Sequence, residues 1–269
     1  MKKILTIAGS DSSGGAGIQG DLKTFSAHGV FGMSVITAVT AQNTQGVFGV
    51  QDITAEMIEM QIQAIFEDII VDAVKIGMLS RSETIKAIVR GLKKYNPPNV
   101  VLDPVMISTS GYFLLQPEAI QEMITSLLPL VTMITPNIPE AEELAKIPIT
   151  SLTHMEEAAR IISNLGPLNV LVKGGHRDGD AVDVLFDGHK MTHFKSPRID
   201  SSNTHGTGCT LSAAIASNLG KGYSTYEGVV AAKEYITTAI THSFSIGKGV
   251  GPVHHFYDLY QKAGRIEDK

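Results

Sequence analysis

Short apolar runs bounded by glycine, proline or aspartate recur along the chain at intervals of about thirty residues, with helical periodicity between them. That alternation is the pattern of βα units and predicts a mainly parallel sheet flanked by helices. The predicted strands are Ile4–Ala8, Met33–Val39, Ala73–Ile76, Val100–Leu102, Val131–Ile134 and Val170–Val172. Ile18, Leu22 and Phe25 fall at i, i+4 and i+7 before Gly29, the apolar stripe of a helix. Ser80-x-x-Glu83 and Thr153-x-x-Glu156 read as capping boxes leading into Ile85/Ile88/Leu92 and Ile161/Ile162/Leu165. Past the last parallel strand the rhythm changes: Val182–Phe186, the turn Asp187-Gly188 and His189–Phe194 predict an antiparallel hairpin at the sheet edge. Helices over Cys209–Leu219, Tyr226–Phe244 and Val253–Lys262 are expected to follow. No proline- or serine-rich linker, low-complexity tract or internal repeat interrupts the pattern, so one domain over residues 1–269 is expected.

In an open α/β sheet the ligand crevice lies beyond the carboxyl ends of the strands. The residues at those ends are Gly9-Ser10-Asp11, Gln42-Asn43-Thr44, Gly77-Met78, Asp103-Pro104-Val105, Thr135-Pro136-Asn137 and Lys173-Gly174-Gly175. Small, polar, amide and charged groups dominate there, whereas the strands are apolar. The richest stretch is Asn203–Ala214, which joins a glycine-spaced turn to an alanine-rich helix. The first N–H groups of such a helix have no intrahelical partner and form an anion site. Gly206 and Gly208 allow a ligand close to the backbone, and Cys209 sits where a helix N-terminus is expected to lower a thiol pKa. The simpler alternative is a tight turn before a core helix with a buried structural cysteine. His205 beside the turn is either a site residue or a hydrogen bond that shapes it.

Other motifs narrow the chemistry. Gly15-Ala16-Gly17-Ile18-Gln19-Gly20 matches G-x-G-x-x-G, but the connection from Ala8 is too long for a dinucleotide turn, and Ile36 to Thr40 offer no carboxylate for a ribose. Neither Gly220-Lys221 nor Gly247-Lys248 completes a phosphate loop. Asn137-Ile138-Pro139-Glu140 starts a helix directly after a strand. Glu140 there either complements the helix dipole or, with Asn137 and Asp103, orients Mg²⁺ and its waters. Asp21, read in a first helical turn, likewise either favours the dipole or accepts a hydrogen bond from a substrate. His254-His255 and the absence of an H-x-x-x-H or Cys/His cluster argue against zinc. Lys173 and Lys233 are candidates for nucleotide phosphate contacts.

Composition sets the outer bounds. The 269 residues, 43% of them hydrophobic, suffice for a substantial core. A formal net charge of −5 without a long basic cluster argues against nucleic acid or an anionic membrane as partner. One cysteine excludes an internal disulfide, and Ile4 to Ala8 is too short for a signal-peptide core or a membrane span, so a cytoplasmic protein is expected.

Eight segments together carry a resemblance: Leu5–Gln19, Thr40–Thr44, Lys75–Leu79, Asp103–Met106, Ile134–Asn137, Val172–His176, Thr204–Ala214 and Gly251–Phe256. In these the chain resembles the ribokinase-like superfamily and, within it, the hydroxymethylpyrimidine/phosphomethylpyrimidine kinases of thiamine biosynthesis. The resemblance implies ATP-dependent phosphorylation of 4-amino-5-hydroxymethyl-2-methylpyrimidine to the monophosphate and then to the diphosphate, with Mg²⁺, in a homodimer. It implies a pyrimidine site of Gly9, Asp21, Gln42, Met78 and Val105, and an ATP site along Asn137, Lys173, Gly206-Thr207-Gly208 and Lys233. Where most ribokinase-like enzymes end the turn in an aspartate base, this chain has Cys209, as in the pyrimidine-kinase branch. Thr109, in Ile107–Gly111, stands where many relatives carry lysine. The alternatives are a pyridoxal kinase, whose relatives carry a second cysteine that this chain lacks, and a non-catalytic pyrimidine-binding protein.

Overall fold

The computed structural model describes residues 1–106, 115–175 and 181–266. Ile107–Gly111 with Thr109, and His176, lie outside the described residues. The strands are β1 (Lys3–Ser10), β2 (Phe31–Asn43), β3 (Gly46–Asp52), β4 (Ala73–Ile76), β5 (Val100–Leu102), β6 (Met133–Ile134), β7 (Asn169–Val172), β8 (Ala181–Phe186) and β9 (Met191–Ser196). They form one sheet in the order β3-β2-β1-β4-β5-β6-β7-β8-β9. From β2 to β7 every pairing is parallel, while β3, β8 and β9 pair antiparallel. The helices are α1 (Gly17–Ala27), α2 (Ala55–Phe66), α3 (Ser82–Tyr95), α4 (Pro117–Glu122), α5 (Ile138–Ala145), α6 (Leu152–Ser163), α7 (Thr207–Lys221), α8 (Thr225–Thr241) and α9 (Tyr257–Lys262).

Side chains alternate across the sheet and so build two cores. Leu5, Ile7, Val74, Ile76, Val100 and Leu102 pack with α2 to α6 on one face. Ile4, Ala73, Val101, Met133 and Leu171 pack with α1, α7 and α8 on the other. Burial on both faces explains why the central strands read as short apolar runs.

Several boundaries differ from the sequence expectation. β2 runs past Val39 to Asn43, carrying Gln42 beyond the parallel sheet, and pairs there with the unexpected β3. Ser80 does not cap α3: its hydroxyl donates to Asp52 at 2.5 Å, and Arg81 is the cap residue. α6 is capped by Ser151, which accepts from the His154 N–H, so Thr153 and Glu156 lie inside the helix. The reciprocal boxes form instead at Asn137/Glu140 and Ser224/Glu227. α8 ends at Thr241, and α9 starts only at Tyr257 because Pro252 is held in a bridge to His205. Among the described residues, no helix is long and apolar enough to cross a membrane.

Candidate active site

Two glycine-rich turns interlock at the carboxyl ends of the parallel strands. Gly206, the cap residue of α7, has φ +83°, and a Cβ there would collide with the Gly15 carbonyl oxygen. Only glycine meets both demands. Gly17, first in α1 with φ +55°, is equally constrained against the Gly9 carbonyl, and its N–H donates to the Cys209 thiol.

Asp11 locks the two turns together. Its carboxylate accepts from the N–H groups of Ser13 (2.8 Å), Gly15 (3.1 Å) and Ala16 (2.8 Å), the Ser13 hydroxyl (2.7 Å) and His205 Nε2 (2.8 Å). Burial opposes its charge, but the bonds from His205, Ser13 and Ala16 prevail and hold the carboxyl well below the usual range. The N–H groups of the G-x-G-x-x-G run are therefore filled by the chain's own carboxylate, the physical reason this loop is no dinucleotide turn. His205 thus fixes the turn, and the α7 N-terminus beyond it faces the crevice.

Among the residues expected to take the pyrimidine, Gly9 lies on β1 with the Met78 sulfur 3.0 Å from where its Cβ would be. Gln42 is anchored through its backbone to Ser12 at 2.7 and 2.9 Å, and its side-chain amide lies 3.2 Å from the Thr40 hydroxyl, which donates to the Ser10 carbonyl at 2.8 Å. Thr44, at the tip of the β2–β3 hairpin, is tied to Gly249 and Val250. Val105 closes a tight turn, its N–H donating to the Asp103 carbonyl at 2.8 Å. Asp21 stands in the second turn of α1, not the first, and is fully buried, so a dipole role is ruled out. Its Oδ2 accepts from Thr6 (2.6 Å) and Lys75 (2.9 Å).

Among the residues expected at the ATP phosphates, Lys173 binds Asp103 at 2.9 Å, and both face Gly208. Thr135 adds a bond to the same Asp103 oxygen at 3.3 Å. Asn137 and Glu140 cap α5 reciprocally at 2.9 and 2.8 Å. Burial pushes Glu140 up to about 7, with Lys173 pulling it back and Asp103 pushing it further. Lys233 pairs with Asp183 at 2.5 Å, and Asp183 also accepts from the Gly174 N–H. The Thr207 hydroxyl donates to the Thr204 carbonyl at 2.8 Å.

One electrostatic expectation is overturned. Cys209 sits in the first turn of α7, yet burial raises its thiol to about 11, and the nearby Lys75 only moderates this. Desolvation in the crevice outweighs the helix N-terminus. The sequence gives Lys75 and Asp183 no role, and Asp11 only a place at a strand end; a lysine inside the otherwise apolar strand Ala73–Ile76 is the signal available for Lys75.

Asp103 and Glu140 fit Mg²⁺, an ion that takes one or two carboxylates and completes its shell with water and substrate phosphate. Among the described residues, no group of three or more His, Cys, Asp or Glu side chains gathers into a self-sufficient metal site.

A crevice that offers free N–H groups to an anion at one end and a closed polar floor to a small molecule at the other is suited to moving a phosphoryl group. With this sheet order and its structural neighbours, the protein is a kinase of the ribokinase-like class. More narrowly, residues 11–254 match the family model for phosphomethylpyrimidine kinase, and the chain belongs to that family. It is 52% identical to the hydroxymethylpyrimidine/phosphomethylpyrimidine kinase of Rhizobium meliloti (strain 1021), across 94% of this chain and 96% of the relative. It is 50% identical to the thiamine biosynthesis bifunctional protein ThiED of Geobacter sulfurreducens, covering 94% of this chain and 52% of that longer one. The crystal structure of phosphomethylpyrimidine kinase from Clostridium difficile 630 aligns with TM-score 0.81 and 55% identity, over 89% of this chain and all of that one. An ADP complex of Bacillus subtilis pyridoxal kinase aligns with TM-score 0.90 and 42% identity, over 96% and 99%.

Proposed function

We propose that this protein phosphorylates 4-amino-5-hydroxymethyl-2-methylpyrimidine with ATP and then phosphorylates the resulting monophosphate, as a step of thiamine biosynthesis. Near-full-length identity of 52% to a kinase named for both steps carries the conclusion. A purely binding role is set aside, because the matching family model is that of a kinase.

The pyrimidine lies against Gly9, Met78 and Val105, with Asp21 and Gln42 reading its polar edge. The Thr40 hydroxyl steadies the Gln42 amide, which can donate to a ring nitrogen or accept from the exocyclic amine. The ATP phosphates lie along Asn137, Lys173 and the N–H groups of Gly206, Gly208 and Cys209, with Thr207, whose N–H and hydroxyl both donate to the Thr204 carbonyl, shaping that turn and Lys233 pairing with Asp183. A phosphate arriving beside Gly208 competes with Asp103 for the Lys173 ammonium. Mg²⁺ at Asp103 and Glu140 would neutralise charge on the transferring phosphates. Cys209 takes the alcohol proton in the first step, a role the second step does not need. The chain works as one kinase domain over residues 1–269, in the cytoplasm, as a homodimer. The exposed Phe31, Val39 and Phe48 of the β2–β3 edge support the dimer.

The close fold match to pyridoxal kinases at 42% and 35% identity favours a second activity on pyridoxal. A mass-spectrometric product assay with ATP and either substrate tests both. Mono- and diphosphorylated pyrimidine is the expected outcome, and pyridoxal phosphate alone would overturn the assignment.

A further inference from the structure

Thr6, Asp21 and Lys75 form a polar cluster beneath the pyrimidine site, on the sheet face otherwise filled by Ile4, Ala73 and Val101. Thr6 and Lys75 are register partners on β1 and β4, so their side chains leave the sheet side by side toward α1. Both donate to the same oxygen of Asp21, at 2.6 and 2.9 Å, and all three residues are 0% exposed. The other oxygen, Oδ1, is buried without any hydrogen-bond partner, alone in that state among the described side chains. A carboxylate has about four lone-pair sites, and leaving an oxygen bare costs free energy unless a ligand supplies a donor. The ammonium also packs against Gly77, where a Cβ would sit 2.7 Å from Nζ, so the residue preceding Met78 is shaped around Lys75.

We infer that Lys75 is a positioning residue for the pyrimidine: together with Thr6 it occupies Asp21 Oδ2, fixes the carboxylate in place, and presents Oδ1 as the acceptor for an N–H or O–H of the substrate. The inference rests on the assignment of Asp21 to the pyrimidine site. Burial raises the Asp21 pKa above the ordinary carboxylate value, and Lys75 and Thr6 pull it back only in part. Asp103 is the other carboxylate acting on it, and Cys209 is the remaining titratable group that faces the pair, both lying on the side of α7 and β5. A buried lysine with the opposite task, supplying a positive charge to ATP, would need a phosphate-side contact, and its ammonium instead binds Asp21.

Lys75→Met removes the ammonium, and with it a group that holds the Asp21 pKa down. In the native protein the KM for the pyrimidine is expected to stay level from pH 6 to 9. In Lys75→Met it rises at least tenfold at neutral pH and gains a pH inflection, while the KM for ATP stays within twofold. The inflection disappears in Lys75→Met/Asp21→Asn, where nothing is left to titrate. A level profile and native KM in Lys75→Met overturn the role of Lys75. Native pyrimidine KM in Asp21→Asn instead overturns the underlying site assignment. Should Lys75→Met fail to fold, the comparison of Asp21→Asn with the double variant still decides. A residue acting only through Asp21 changes the pyrimidine KM less than twofold once Asp21 is gone, and a larger change overturns the inference.

Discussion

The Lys173 ammonium lies 2.9 Å from Asp103 Oδ1, and both groups face Gly208, 3.5 and 3.3 Å from where its Cβ would be. Burial disfavours the lysine charge, but Asp103 and Glu140 more than restore it, so the ammonium is charged at any working pH. The pair is a prearranged cation at the mouth of the α7 N–H groups, and a phosphate entering there meets a partner already fixed in place.

Lys173→Met should therefore raise the KM for ATP by roughly ten- to hundredfold, the scale of one hydrogen bond to a charged group. The KM for the pyrimidine should hardly move. Steady-state kinetics with each substrate varied separately checks this, and an unchanged ATP KM would reduce Lys173 to a structural partner of Asp103.

Cys209 separates the two chemical steps. With its thiol at about 11, the thiolate is a small fraction at neutral pH and grows about tenfold per pH unit. The single-turnover rate of alcohol phosphorylation should climb between pH 7 and 9 and lose that slope in Cys209→Ala. The monophosphate is already ionised there, so its phosphorylation should be level in both proteins. Equal losses in the two steps would assign the thiol to packing alone.

Glu140 bears on the metal. Its carboxyl, raised by burial to about 7, is largely ionised above that pH and protonated below it. The Mg²⁺ concentration giving half-maximal activity should be higher at pH 6 than at pH 8. Glu140→Gln should raise it at pH 8 and remove the difference. Metal titrations that superimpose for the native and variant proteins would leave Glu140 with its capping role only.

Acid stability follows from His255. It is 5% exposed, with Nε2 3.1 Å from Thr210 Oγ1, and burial lowers its pKa to about 4. The unfolded chain takes up that proton near pH 6.5, so the contribution is complete above 6.5 and is lost as pH falls toward 4. A shift of this size corresponds to roughly 3 kcal/mol. Half-buried His28, lowered in the same way, adds to the slope. Urea unfolding between pH 7 and 4 should show His255→Gln with a shallower loss than the native protein; parallel curves would exclude His255 as a source.

The parallel sheet was legible because strands buried on both faces leave apolar runs such as Val100–Leu102 and Val170–Val172. β3 was not, since Gly46–Asp52 has two glycines and no fully buried residue, and its pairing exists only because β2 overshoots the sheet. α2 likewise went unnamed, although Thr54 caps it and Ile58 and Ile62 bury. At the site, Cys209, Asp21, Asp103 and Lys173 were recognisable singly at strand ends and helix starts. Their pairings were not, because Lys75 reaches Asp21 across 54 positions and Lys173 reaches Asp103 across 70. The thiol pKa was misjudged for a related reason: a helix start is visible in sequence, whereas the depth of the crevice around it is not.

The bond between Asp11 and His205 spans 194 positions. At translation rates of roughly 5–20 residues per second, His205 is made about 10–40 s after Asp11. During that interval Asp11 can already hold Ser13, Gly15 and Ala16, so the first turn has what it needs to take shape on the nascent chain. The phosphate-side turn can close on it only after His205 itself has been made. A polypeptide stopped short of that residue therefore has no closed trap for a nucleotide.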